Sequence, residues 1–194
     1  MLNCFDRERV QTFAHQVKNK EYFRESNFIS YTCSMRMLLL NVLCCLCITL
    51  TVVAQTYTGK VTAVKDGDTI EMLVNGKKLR IRLFGIDSPE RGQPFGTKAK
   101  EFTAAQCFGK VVKAVRQSRD QYGRIVAEVY LPGDVSLNAA IVKAGFAWHY
   151  KKFSKSPLLA AAETTARKER LGLWKDKHPV APWQWRKRKT IKAS

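Results

Sequence analysis

Arg80-Ile-Arg-Leu-Phe-Gly-Ile-Asp-Ser-Pro-Glu90 alternates apolar with basic residues until Asp87-Ser88-Pro89 breaks the pattern. Alternation of period two predicts a half-buried strand, and Ser-Pro predicts that it ends in a turn. Leu79, Ile81 and Leu83 then share the inner face, with Arg80 and Arg82 opposite. Asp87 and Glu90 stand where the chain leaves the sheet, a rigid but open place to hold charged groups. Arg80 alone reads equally as a solvated edge-strand charge. Arg82, Asp87 and Glu90 together, with a second acidic turn upstream, point to chemistry.

That second turn is Lys65-Asp66-Gly67-Asp68-Thr69. Asp-Gly between Val61–Val64 and Thr69–Val74 is a hairpin signal, and Asp66 fits ordinary turn chemistry. Asp68 opens the next strand, which adjoins the Arg82 strand through the Asn75-Gly76 turn. Asp68 and Asp87 are therefore expected to lie close. Two close carboxylates repel unless a cation lies between them.

The chain has 194 residues, enough for one domain with a proper core. Its formal net charge is +18 and its pI about 9.9. Such a balance implies a polyanionic partner: nucleic acid, an anionic membrane or an acidic polysaccharide. Against it, Asp66, Asp68, Glu71, Asp87 and Glu90 gather in two short turns and one strand. Acids placed inside a basic field suggest a cation site or an acid–base role.

Residues 1–34 show no clear period or motif. Met35–Ala54 joins a short basic start, an apolar run and a Val-Val-Ala end, the pattern of a secretory signal peptide. The expectation is that translation starts at Met35 or Met37, that 1–34 is an extension outside the exported chain, and that cleavage follows Ala54. The protein is then secreted or periplasmic, without stable membrane association. The alternative is an uncleaved signal anchor with Arg7, Arg9, Lys18, Lys20 and Arg24 kept cytoplasmic, for which the apolar run is short. After cleavage only Cys107 of the six cysteines remains, so no internal disulfide is expected and the core must hold the fold. Cys107 reads as a small buried residue rather than a nucleophile.

Downstream, Tyr57–Lys65, Thr69–Val74 and Lys78–Ile86 are expected to form a three-strand meander. A helix over Thr97–Cys107 follows, with Ala99, Phe102, Ala105 and Gln106 on one face and Gly109 as its stop. Lys110–Ser118 and Arg124–Leu131 are further strands around the turn Arg119–Gly123. Ser136 caps a helix through Ala144, and Ser156-Pro157 opens a longer one to Leu171. Five strands with inserted helices predict a mainly-β α+β fold over residues 55–179. It is a small five-stranded Greek-key barrel of the nucleic-acid-binding OB type, with three helices. Residues 180–194 read as a basic tail whose prolines resist regular structure. Trp183 and Trp185 are expected to pack back, with Arg186–Lys189 solvated.

Asp68, Asp87 and a turn carbonyl supply hard oxygen ligands, suited to calcium, magnesium or manganese. Three widely spaced histidines and one mature cysteine argue against zinc. Guanidinium groups match phosphate oxygens. Arg82, Arg124 and a divalent cation around one phosphodiester would neutralise charge on a five-coordinate phosphorus, with Glu90 as base for a water. Arg124 reads equally as a surface charge of its hairpin.

Asp66-Gly-Asp-Thr69, Arg82-Leu-Phe-Gly-Ile-Asp-Ser-Pro-Glu90 and Asp120-Gln-Tyr-Gly-Arg124 resemble the three signature segments of the staphylococcal nuclease (thermonuclease) family, in the same order. Asn138–Gly145 and Lys168–Trp174 look like its later helical segments, so the resemblance runs from about Thr56 to Trp174. It implies a five-stranded barrel with three helices and a calcium-dependent phosphodiesterase, with one ion per site. That enzyme would act on DNA and RNA and leave 3′-phosphate ends. It implies Asp68 and Asp87 as calcium ligands through carboxylates, and Ser88, where the family often has threonine, through its backbone carbonyl. Glu90 would be the general base or orient the water, and Arg82 and Arg124 would bind the phosphate. Arg91–Gly96 is shorter than the loop of the founding nuclease, which alters the groove contacts.

For base stacking Tyr150 is the best candidate, beside Lys151, Lys152 and Lys155 in a basic groove. Tyr150 reads equally as a packing residue, and Trp148 as core. The expected state is a monomer. The reading from a different class is a non-catalytic barrel that binds nucleic acid. Such a binder has no need for Asp68, Arg82, Asp87, Glu90 and Arg124 together.

Overall fold

The alternation around Ile81 does build a strand, and the meander it belongs to closes into a barrel. The structure, a computed structural model, describes residues 55–193; the expected extension and leader (1–34 and 35–54) lie outside the described residues. β1 (Thr56–Asp66), β2 (Thr69–Val74) and β3 (Lys77–Leu83) are antiparallel neighbours. The strand expected to reach Ile86 stops at Leu83, because Phe84-Gly85 turns the chain and Gly85 takes a positive φ of 72°. Ile86–Asp87 form a separate short β4.

Helix α1 (Gly96–Cys107) follows, then β5 (Val111–Arg119) and β6 (Ile125–Leu131). β5 pairs with β1 and with β6, both antiparallel. β6 then lies parallel to β3, with Ile81 opposite Ile125 and Leu83 opposite Ala127. This parallel seam closes five strands in the ring β1-β2-β3-β6-β5. A parallel pair needs a long crossover, and α1 with β5 provides it.

The remaining elements are β7 (Val135–Ser136), α2 (Leu137–Lys143), β8 (Trp148–His149), α3 (Pro157–Lys168) and α4 (Pro182–Ala193). β8 pairs with β4, Asp87 opposite Trp148. There are thus four α-helices among the described residues, one more than expected, besides a short 3-10 helix at Gly172–Lys175. The fourth is the stretch read as an irregular tail. Pro182 is its first residue, where a missing N–H breaks no helical bond.

Inner-face residues Ile70, Met72, Ile81, Leu83, Val112 and Val129 are fully buried and meet Leu137 and Ile141 of α2. The buried face of α1 is Gly96, Ala99, Thr103 and Cys107, not the Ala99, Phe102, Ala105 and Gln106 face expected. The polar Thr103 is hidden because its hydroxyl donates to Gly67 O at 2.7 Å. Burial pushes the Cys107 thiol up to about 12, as suits an inert packing residue. No helix among the described residues is long and apolar enough to cross a membrane.

Candidate active site

Two turns meet at the open end of β3 because small residues let them. A Cβ on Gly67 would lie 2.7 Å from the Ser88 Cβ and 2.9 Å from that of Ala99. At this close approach Asp68 Oδ2 accepts the Ser88 N–H at 2.7 Å. The same oxygen lies 3.0 Å from Arg82 Nη2, which is also 2.8 Å from Asp87 Oδ1. Arg82 Nη1 donates to Leu83 O and Ile86 O, each at 3.0 Å. One guanidinium therefore clamps both sides of the Phe84-Gly85 corner and bridges the two aspartates.

Asp68, Asp87 and Ser88 are all buried. Burial pushes the Asp68 carboxyl up to about 8; Arg82 opposes the shift, and Asp66 and Asp87 add to it. Burial raises Asp87 as well, against the pull of Arg186 and Arg82. A carboxyl whose folded pKa lies above its unfolded value stabilises the fold in acid and loses that contribution as pH rises through the folded value. For the metal-free protein, Asp68→Asn is therefore expected to gain on wild type in thermal denaturation as pH climbs from 3.8 to about 8. A pH-independent gap would show that Asp68 is ionised throughout.

Glu90 follows the second turn, its N–H donating to Gln93 Oε1 at 3.0 Å. Its carboxylate meets Arg186 of α4, with Nη1 2.6 Å from Oε1. Arg186 Nη2 is 2.9 Å from Asp87 Oδ2, and Nη1 is 3.3 Å from Oδ1. Arg186 is thus not a solvated tail residue, although Lys187 and Arg188 are exposed as expected. The reason is the docking of α4: Gln93 Nε2 donates to Val180 O at 2.7 Å, and Trp183 stacks on Tyr150 with ring centroids 5.0 Å apart. Burial works against the Arg186 charge, but hydrogen bonds to Asp87 and Glu90 outweigh it and hold its pKa above the usual arginine value.

The opposite wall is the turn before β6. The Asp120 carboxylate accepts N–H groups of Tyr122 at 3.0 Å and Arg124 at 2.9 Å, and pairs with Arg124 Nε at 2.6 Å. The turn thereby fixes the root and orientation of Arg124. Tyr122 is 75% exposed, its ring centre 5.5 Å from the Arg124 guanidinium. The sequence reading passed over Tyr122. Its signal was an aromatic at a turn tip two residues before a phosphate-type arginine.

A cleft of about 750 Å³ brings together Asp68, Arg82, Asp87, Glu90, Arg124 and Tyr150. Tyr150 is edge-on to Phe153 as well as stacked on Trp183. Lys151 is not brought there. Past β8 the chain turns, and Lys151 Nζ lies 3.7 Å from Glu163 Oε2 with its side chain 72% exposed.

The donor chemistry at the cleft floor fits a hard divalent cation. Asp68 and Asp87 offer carboxylate oxygens, and the buried Ser88 hydroxyl has no hydrogen-bond partner among the described residues. No group of three or more His, Cys, Asp or Glu able to hold a metal forms among the described residues. The donors on hand are two carboxylates, hard oxygens that suit a cation such as magnesium or calcium better than zinc.

A closed five-stranded barrel with helices, carrying acids and arginines in one cleft, defines an α+β protein of the OB type. Residues 80–176 match the model of the family described as "Staphylococcal nuclease homologue". A protein of Escherichia coli named "Uncharacterized endonuclease" is 42% identical over 131 residues, 68% of this chain and 86% of that one. A "Micrococcal nuclease" of Shigella flexneri is 39% identical over 141 residues, 68% and 81% of the two chains. "Staphylococcal-like nuclease CAN1" of Arabidopsis thaliana is 42% identical over 116 residues, 60% of this chain and 36% of its own. The chain belongs to the staphylococcal nuclease homologue family.

Proposed function

We propose that this nuclease is calcium-dependent, hydrolyses phosphodiester bonds of both DNA and RNA, and leaves 3′-phosphate ends. One observation carries the reading: Asp68 and Asp87 share a guanidinium at the floor of a cleft that Arg124 enters from the opposite wall. A non-catalytic binder gains nothing from buried acids there, because they tie up arginines that would otherwise hold phosphate.

In this reading Asp68 and Asp87 hold the ion through carboxylates, and Ser88 through its carbonyl. When bound, calcium would withdraw charge from the phosphate and favour ionisation of a nearby water. Arg124 grips a non-bridging oxygen from one wall, and Arg82, held between the aspartates, adds its charge from the floor; together they neutralise the charge that builds during attack. Glu90, 40% exposed at the cleft edge, takes the proton of the attacking water. The bond from phosphorus to the 5′ oxygen breaks, and the phosphate stays on the 3′ side. Tyr122 offers its face to a flanking base, whereas one face of Tyr150 is already covered by Trp183. Export rests on the leader read in residues 35–54.

The test uses the purified protein on single- and double-stranded DNA and RNA, with calcium, magnesium or chelator, followed by end-group analysis. Calcium-supported cleavage of both polymers to 3′-phosphate ends is expected. 3′-hydroxyl ends, or binding without cleavage, would overturn the reading. Base stacking is worth about 1–3 kcal/mol, so Tyr122→Ala is expected to raise KM roughly tenfold with little change in kcat. An equal loss in kcat, measured on a short oligonucleotide, would place Tyr122 in the chemical step.

A further inference from the structure

Both oxygens of Asp87 are already engaged by guanidinium groups, and the two arginines differ. Arg82 is 15% exposed and is pinned by two carbonyls and two carboxylates. Arg186 is 45% exposed and reaches in from the last helix to Asp87 and Glu90. A cation and a guanidinium cannot both sit on the same face of Asp87 Oδ2. Where one must leave, it is the more exposed one.

We propose that Arg186 is a built-in competitor for the divalent cation, a latch that neutralises Asp87 and Glu90 until metal displaces it. This rests on the reading of Asp68 and Asp87 as metal ligands. Only the side chain has to move. The Gln93–Val180 hydrogen bond and the contacts of Trp183 with Tyr150 and Trp148 hold α4 in place. Displacement also releases Glu90, whose carboxylate is then able to meet a water. Holding the acids apart from metal in this way raises the calcium concentration at which the cleft becomes active. Because the Arg186 pairs are half-exposed, salt screens them and weakens the latch.

The test is calcium binding without substrate, by titration calorimetry, on wild type, Arg186→Gln, Arg186→Lys and Asp87→Asn. Arg186→Gln is expected to bind calcium about tenfold tighter than wild type, because the charge-assisted bonds it loses oppose the ion. The gap should narrow in high salt. Arg186→Lys should fall between the two, and Asp87→Asn should lose binding. Unchanged or weaker binding by Arg186→Gln, with binding still lost in Asp87→Asn, would overturn the latch and leave the metal site standing. No binding by wild type or by Arg186→Gln would overturn both. Should Arg186→Gln fail to fold, side-chain NMR of the wild type decides. The Arg186 guanidinium signal must move on calcium addition, and a signal unmoved at saturation refutes displacement.

Discussion

Removing divalent cations with a chelator is expected to lower DNA cleavage by at least about a thousandfold, while much of the salt-dependent binding survives. Asp68, Asp87 and Glu90 line the same cleft as the arginines that would grip the phosphate. Arg82 is already committed to both aspartates, so it cannot offset them and the incoming phosphate together. Without a divalent cation both guanidiniums at the cleft floor stay tied to the acids, and the phosphate meets no cation of its own there. Contacts elsewhere on the +18 chain remain attractive. Nicking rates and filter binding, measured side by side across salt concentrations, separate the two effects. Undiminished cleavage in excess chelator would remove metal from the mechanism.

Arg82→Ala is expected to damage both turnover and the fold. It strips the charge partner from two buried carboxylates and the donors from Leu83 O and Ile86 O. Breaking one partner of a buried ion pair costs about 3–5 kcal/mol. Loss of a transition-state charge donor lowers kcat by about a hundred- to a thousandfold. Arg82→Lys should recover part of the stability but little of the rate, because a compact ammonium cannot reach two carbonyls and two carboxylates as a planar fork does. Denaturant unfolding and single-turnover rates check the two halves. A loss of less than about 1 kcal/mol in Arg82→Ala, the level of an ordinary surface pair, would show that the clamp is not what joins the two turns.

The parts of the site that were legible in the sequence are those written locally. Arg82, Asp87 and Glu90 lie within one strand and its exit turn, and Asp68 sits in the hairpin beside them. Period-two burial in β3 made the strand visible. The closing pair β3–β6 was not legible, because its partners are far apart in the chain and each reads as half-buried on its own. The face of α1 was misread because Thr103 hides its hydroxyl on Gly67 O, which hydropathy does not record. Arg186 was missed for a related reason. It meets Asp87 across 99 residues, and Pro182 was taken as a breaker when it is the first residue of a helix. Lys151 does not line the cleft, because the turn after β8 carries it toward Glu163, whereas its neighbour Tyr150 does.

The parallel seam between β3 and β6 acts as a calliper. Arg82 sits on one jaw, opposite Val126, and Arg124 sits just before the first residue of the other. The spacing of the two backbones is set by strand pitch and register, and the adjoining turns aim the guanidinium tips. Grafting other loops around the cleft should therefore leave the two arginine backbones in register, and should shift the tips only where the Asp120 turn or the Phe84-Gly85 corner is touched.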